Sequence, residues 1–180
     1  MKQAPLTLRK ATMRDIPDLL ALINGYAEQG IMLPRTECEL AESIRDFVVA
    51  VQNGRLMACG ALHYYTTTAA EIRSLAVHPD AKRSGLGRAV CQWLEREADE
   101  TGLCSLFAFT YVPDFFARLG YRQVDRGMLP GKAWKDCLRC PKFSNCDEIA
   151  VFKPLRSTPM GVEPGLRVLN QPSPIAARPL

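Results

Sequence analysis

Between Leu75 and Val90 the chain reads as the end of a strand, a loop with two glycines and the opening of a helix: Leu75-Ala-Val-His-Pro-Asp-Ala-Lys-Arg-Ser-Gly-Leu-Gly-Arg-Ala-Val90. No other segment constrains the fold as much, because it fixes three consecutive elements and the path of the chain between them. Gly85 and Gly87 have no side chains to obstruct a ligand, and the first N–H groups of a helix have no intrahelical partners. The backbone from Ser84 through Leu86 to Arg88 is therefore a cradle for an anion, strengthened by the helix dipole. Lys82, Arg83 and Arg88 add full positive charges beside it. The Gly-Lys-Ser/Thr ending of a nucleoside-triphosphate loop and the G-x-G-x-x-G dinucleotide spacing are both missing, which excludes those two classes.

The rest of the chain supplies the layers around this unit. Leu6 to Lys10 alternates like a short strand, and Thr12-x-x-Asp15 predicts a capped helix with Pro17 in its first turn and Ile16, Leu19, Leu20 and Ile23 on its apolar face. A second helix is expected over residues 36–46. Phe47 to Val51, an Asn-Gly turn and Leu56 to Tyr65 read as a hairpin. Further strands are expected at 70–77, 104–111, 121–125 and 148–153, with a helix after Gly85 that buries Leu86, Ala89, Val90, Trp93 and Leu94, and a short one over 114–119. The order predicts an α+β fold with a single mixed, mostly antiparallel sheet and helices on both faces.

At 180 residues and 47% hydrophobic, the chain forms one domain, expected over residues 1–155. The remaining 25 residues hold five prolines and no sustained periodicity, and are expected to be a disordered tail, with a partner-binding arm as the alternative. The net charge of +4 is half accounted for by Arg156, Arg167 and Arg178 against Glu163 in that tail, so no basic stripe points to nucleic acid. No apolar run approaches membrane-spanning length, and the N-terminus lacks a secretory h-region, so no membrane partner and a cytoplasmic address are expected. Oligomeric state stays open, with a homodimer as the common case.

The segment Lys82-Arg-Ser-Gly85-Leu-Gly87 resembles the pyrophosphate-binding Arg/Gln-x-x-Gly-x-Gly/Ala pattern of the GCN5-related N-acetyltransferases, with lysine at the first position. Lysine keeps the charge and loses the planar fork of arginine. Gly30 to Thr36, Ala70 to Val77, Phe115 to Tyr121, Val124-Asp125 and Leu129-Pro130 are similar to the transferase domain of bacterial N-acetylglutamate synthases. The amino-acid-kinase domain that usually precedes it there is missing, so the chain looks like a short, stand-alone form.

The resemblance implies acetyl-CoA as donor and L-glutamate as acceptor. Backbone groups of Leu75, Ala76 and Val77 would then hold the acetyl and pantetheine portions, and one N–H there would serve a developing oxyanion. An α-ammonium must lose a proton before it attacks a thioester, and Glu71, at the family's Glu position, is the candidate base. The plain alternative is a solvated strand glutamate. Ser74 would orient the acceptor or a water, or else bond to backbone. Recognition of two carboxylates favours arginine. Arg35 matches the family's substrate arginine, Arg139 falls where a second basic segment lies, and Arg73 either fills that role or forms a salt bridge. The tyrosine that many members use to protonate the leaving thiolate is replaced here by Phe115 and Phe116, which leaves Tyr111 or solvent for that task.

His63 and His78 are assigned no catalytic role. Cys137-x-x-Cys140 with Cys146 has three of the four ligands of a zinc site, a Cys-x-x-Cys redox pair or a reduced cluster being the alternatives, and no metal is assigned. Cys38, Cys59, Cys91 and Cys104 are expected to be small buried thiols. Two other readings compete with the synthase: acetyl transfer to another small amine or a protein N-terminus, and a non-catalytic acetyl-CoA-binding or cysteine-based module.

Overall fold

The short Thr7–Lys10 (β1) and the near-continuous apolar runs Phe47–Gln52 (β2) and Arg55–Tyr64 (β3), buried on both faces, form consecutive antiparallel strands. The computed structural model describes residues 5–129, 138, 140 and 142–155. Asn53 and Gly54, at φ 54° and 73°, make the two-residue turn between β2 and β3, the geometry that matches the twist of the flanking strands. Ala69–Val77 (β4) pairs with β3, and Ser105–Thr110 (β5), Arg122–Gln123 (β6) and Ile149–Pro154 (β7) complete a seven-stranded sheet of order β1-β2-β3-β4-β5-β7-β6. Only β4 and β5 run parallel.

Ile16–Ala27 (α1) and Glu37–Glu42 (α2) cover one face, burying Leu19, Ile23 and Leu40 against Phe47, Val49, Cys59 and Ala61. Leu86–Glu100 (α3) and Pro113–Ala117 (α4) cover the other, with Leu86, Val90, Cys91, Leu94 and Phe116 against Val48, Leu62, Ile72 and Leu106. This is the α+β layering expected. The helix predicted over 36–46 is interrupted: Ser43 leaves helical geometry at φ −110° and donates its hydroxyl to the Glu39 carbonyl at 2.6 Å, and Ile44–Asp46 continues as a 3-10 turn. The strand expected over 121–125 shortens to two residues, because Tyr121 turns into the core and Asp125 caps the next turn by accepting from the Gly127 N–H at 2.7 Å. No described helix is long and apolar enough to cross a membrane.

One irregularity in β4 decides how the site is built. Ala61 faces Arg73 and Cys59 faces Ala76, so Gly60 alone opposes Ser74 and Leu75. Ser74 adopts φ 51°, a left-handed conformation that is uncommon for a residue with a Cβ. This bulge reverses the strand's facing pattern. Before it, Ile72 packs toward α3; after it, Leu75 and Val77 do so, while Ala76 joins the α1 side. Gly60 makes room for the bulge: a Cβ there would lie 2.8 Å from Val90 Cγ1 and 3.3 Å from Leu75 Cδ1. Val90 is fully buried and stiff at χ1, so Gly60→Ala is expected to cost about 1–3 kcal/mol in a denaturant midpoint measurement.

Candidate active-site cleft

β4 and β5 pair only from Ala69 and Ser105 to Glu71 and Phe107. Beyond these residues the strands diverge, β4 following β3 to Val77 and β5 following β7 to Thr110. The fork opens a cleft of about 500 Å³. A parallel pair that separates leaves one edge of each strand without a strand partner, so β4 can present main-chain groups to a ligand lying in the gap.

Glu71 sits at the vertex of the fork, lines the cleft and is only 1% exposed. It is therefore not the solvated strand carboxylate of the plain alternative. Arg73 follows it on the same face of β4, and Ser74 lines the cleft from the bulge. Arg35 and Glu148 line the cleft from the loop after α1 and the approach to β7. Among the described residues of the cleft there is no histidine, and its carboxylates are Glu71 and Glu148. His63 instead pairs through Nδ1 with Asp46 at 2.9 Å, and His78 accepts through Nδ1 from the Asp80 N–H at 3.2 Å in the turn before α3.

At the other end of the cleft stand Leu75, Ala76, Val77, Lys82 and Gly87. The loop between β4 and α3 passes through Arg83 at φ 65° and Gly85 at φ 85°, and this left-handed pair aims the chain so that α3 begins against the end of β4. The approach is close, since a Cβ on Gly87 would lie 3.4 Å from Val77 Cγ2 and 3.6 Å from the Phe115 ring. Ser84 pins the loop by donating its hydroxyl to the Ala81 carbonyl at 2.6 Å. Lys82, Arg83, Ser84, Gly85 and Arg88 are exposed. Leu86 is not: its side chain belongs to the core beneath α3, so only its backbone can serve a ligand.

Two groups carried no functional signal in the sequence. Tyr26 continues the apolar face of α1 after Leu19 and Ile23, which predicts packing, yet its hydroxyl donates to the Val77 carbonyl at 2.6 Å and its ring lies 5.5 Å from the Lys82 ammonium. Asn24 donates to the Arg35 carbonyl at 2.9 Å and accepts from the Arg35 N–H at 2.8 Å.

Tyr111 lines the cleft, but its phenol donates to Asp147 Oδ1 at 2.8 Å and accepts from Lys142 Nζ at 3.1 Å. Burial holds the phenol above its ordinary range, and Asp147, with Tyr111 and Lys142 as hydrogen-bond partners, lies below the usual carboxylate range. The Tyr111 proton is therefore held by Asp147, which does not itself line the cleft. Delivering it to a leaving group requires breaking this network first.

Arg139, Cys137 and the tail from residue 156 lie outside the described residues. Cys140 and Cys146 are half-buried, and no group of three potential metal ligands occurs among the described residues. Cys38 is exposed and Cys104 half-buried, contrary to expectation, whereas Cys59 and Cys91 are buried. Burial pushes the Cys59 thiol up to about 12 and the Cys91 thiol up as well, so both stay protonated and inert at neutral pH.

The profile of the acetyltransferase (GNAT) family matches residues 15–122. An uncharacterized N-acetyltransferase of Chlorobaculum tepidum is 39% identical over 155 residues, covering 86% of this chain and all of that relative. The amino-acid acetyltransferase of Pasteurella multocida is 33% identical over 128 residues, which are 70% of this chain and 29% of that protein. Thus the chain spans the whole of one relative and less than a third of the other. Among solved structures, N-acetylglutamate synthase from Neisseria gonorrhoeae, complexed with coenzyme A and N-acetyl-glutamate, superposes with a TM-score of 0.77 at 29% identity, covering 87% of this chain and 36% of that one.

Proposed function

The chain belongs to the acetyltransferase (GNAT) family, and we propose that it acetylates the α-amine of L-glutamate. It is an acyltransferase with acetyl-CoA as donor. The residues present fit that donor: a fork of unpaired strand edge, a left-handed glycine before the free N–H groups of α3, and Lys82, Arg83 and Arg88 nearby. Bound there, acetyl-CoA supplies a thioester carbonyl to the acceptor amine.

The observation that carries the acceptor reading is the pairing of a buried carboxylate with cleft arginines. Glu71 takes a proton from the α-ammonium, directly or through one water, the freed amine forms the new C–N bond as the C–S bond breaks, and the second proton on that nitrogen leaves to solvent to give the amide. The departing thiolate takes a proton from solvent, because the Tyr111 proton is committed to Asp147. A main-chain N–H in the 75–77 stretch steadies the charge that develops on the carbonyl oxygen. Ser74 orients the acceptor. Arg35 and Arg73 answer the two carboxylates of glutamate, with Arg139 as a further cation from the segment after α4. Amino-acid acetyltransferases and an N-acetylglutamate synthase among the relatives support this acceptor. A role in arginine synthesis and a cytoplasmic address belong to the same proposal.

The test is a comparison of L-glutamate with L-glutamine, which differ only in the side-chain carboxylate. The expected kcat/KM is at least tenfold higher for L-glutamate, since the amide leaves a half-buried arginine without its charged partner. Equal values contradict the assignment.

A further inference from the structure

The side-chain contacts of Asn24 and Tyr26 come from one helical turn, and together they touch both halves of the cleft. Two residues apart on a helix, side chains project about 200° from each other. Asn24 therefore reaches the loop after α1, where it holds Arg35 by both its N–H and its carbonyl, at 2.8 and 2.9 Å. Tyr26 reaches the end of β4, donating to the Val77 carbonyl at 2.6 Å, and carries Lys82 over its ring at 5.5 Å. The Ile31 N–H donates to the Tyr26 carbonyl at 3.3 Å, so the segment from Ile31 to Arg35 is tied at both ends to this turn. Ile31, Met32 and Leu33, between the ties, line the cleft.

We propose that Asn24 and Tyr26 are positioning residues, through which the last turn of α1 sets the acceptor-side strap at 31–35 in register with the donor-side strand end at Val77. The proposal rests on the acetyltransferase reading and deepens it. Asn24 acts through Arg35: with its main chain fixed on both sides, the guanidinium starts from one place at the cleft wall and loses less freedom when it grips a carboxylate. Tyr26 acts through Val77 and Lys82. A carbonyl has two lone pairs, so the Val77 oxygen held by Tyr26 keeps one for a ligand amide while its direction is fixed. Lys82, resting on the aromatic face, is kept beside the glycine loop and leaves it for a phosphate at small cost.

The two residues therefore have separable signatures. Tyr26→Phe removes one hydroxyl and preserves the ring. It is expected to weaken binding of CoA, measured by calorimetry on the full chain, by about 3- to 10-fold, with the KM for L-glutamate within twofold of wild type. Asn24→Ala is expected to raise the KM for L-glutamate about 5- to 20-fold with CoA affinity within twofold. Asn24→Asp, which keeps an acceptor for the Arg35 N–H and loses the donor to its carbonyl, should fall between. Calorimetry with CoA needs no acceptor, so the Tyr26 arm is decided even if L-glutamate proves to be the wrong substrate. The Asn24 arm is then read with whichever amine supports turnover. Unchanged CoA affinity in Tyr26→Phe, or both constants moving together in each variant with a lowered Tm, overturns the proposal in favour of simple structural packing.

Discussion

Glu71→Gln is expected to lower kcat for acetyl transfer by about 10²- to 10³-fold while leaving CoA affinity within twofold. The substitution keeps the size and one acceptor oxygen of the side chain but cannot take up a proton, so it separates proton removal from packing. Glu71 lies at the vertex of the β4–β5 fork, with the cleft on one side and the sheet around it. A carboxylate there meets a substrate amine after most water has been displaced. If kcat survives in Glu71→Gln, the proton leaves by another route, and Glu148 is then the remaining cleft carboxylate among the described residues.

Arg35→Ala is the second large effect, and it falls on the other substrate. A charge-assisted hydrogen bond contributes about 1.5–3 kcal/mol, which corresponds to a rise of about 10- to 150-fold in the KM for L-glutamate with the KM for acetyl-CoA unchanged. Arg35→Lys should recover part of the loss, since the charge returns without the planar fork. A uniform fall in kcat with both KM values unchanged would place Arg35 outside the acceptor contact. The main chain of Arg35 is held by Asn24 regardless of its side chain, so the substitution is not expected to move the loop.

The parts of this fold that were legible in the sequence are those in which one residue type answers a local need. The glycine loop was legible because Gly85 must adopt φ 85° and because helix α3 follows at once with apolar residues at regular spacing. The hairpin turn was legible because Asn-Gly is the pair that both positive φ values favour. The bulge was not, because the left-handed residue is Ser74 rather than a glycine, and the glycine that accommodates it, Gly60, lies on the neighbouring strand. Strand order was equally hidden: β7 inserts between β5 and β6, a pairing decided by long-range burial rather than local pattern.

For the site, Glu71, Ser74 and Arg35 were named from family resemblance, and the fold brings all three to one cleft. Physical reasoning on the sequence alone would have left Glu71 on a solvated strand face, because the divergence of β4 from β5 that shelters it has no signature in either strand. Tyr26 and Asn24 were missed for a related reason. Their partners are main-chain groups of Val77 and Arg35, and a hydrogen bond to backbone asks for no particular residue at the other end.

The most direct test of the account is release of free CoA by the purified protein, given acetyl-CoA and each of the twenty amino acids in turn against a control without acceptor. Release that depends on L-glutamate is expected, with a product carrying one acetyl group on its α-nitrogen. Release with a different amine, or none with any amino acid while CoA still binds, would contradict it.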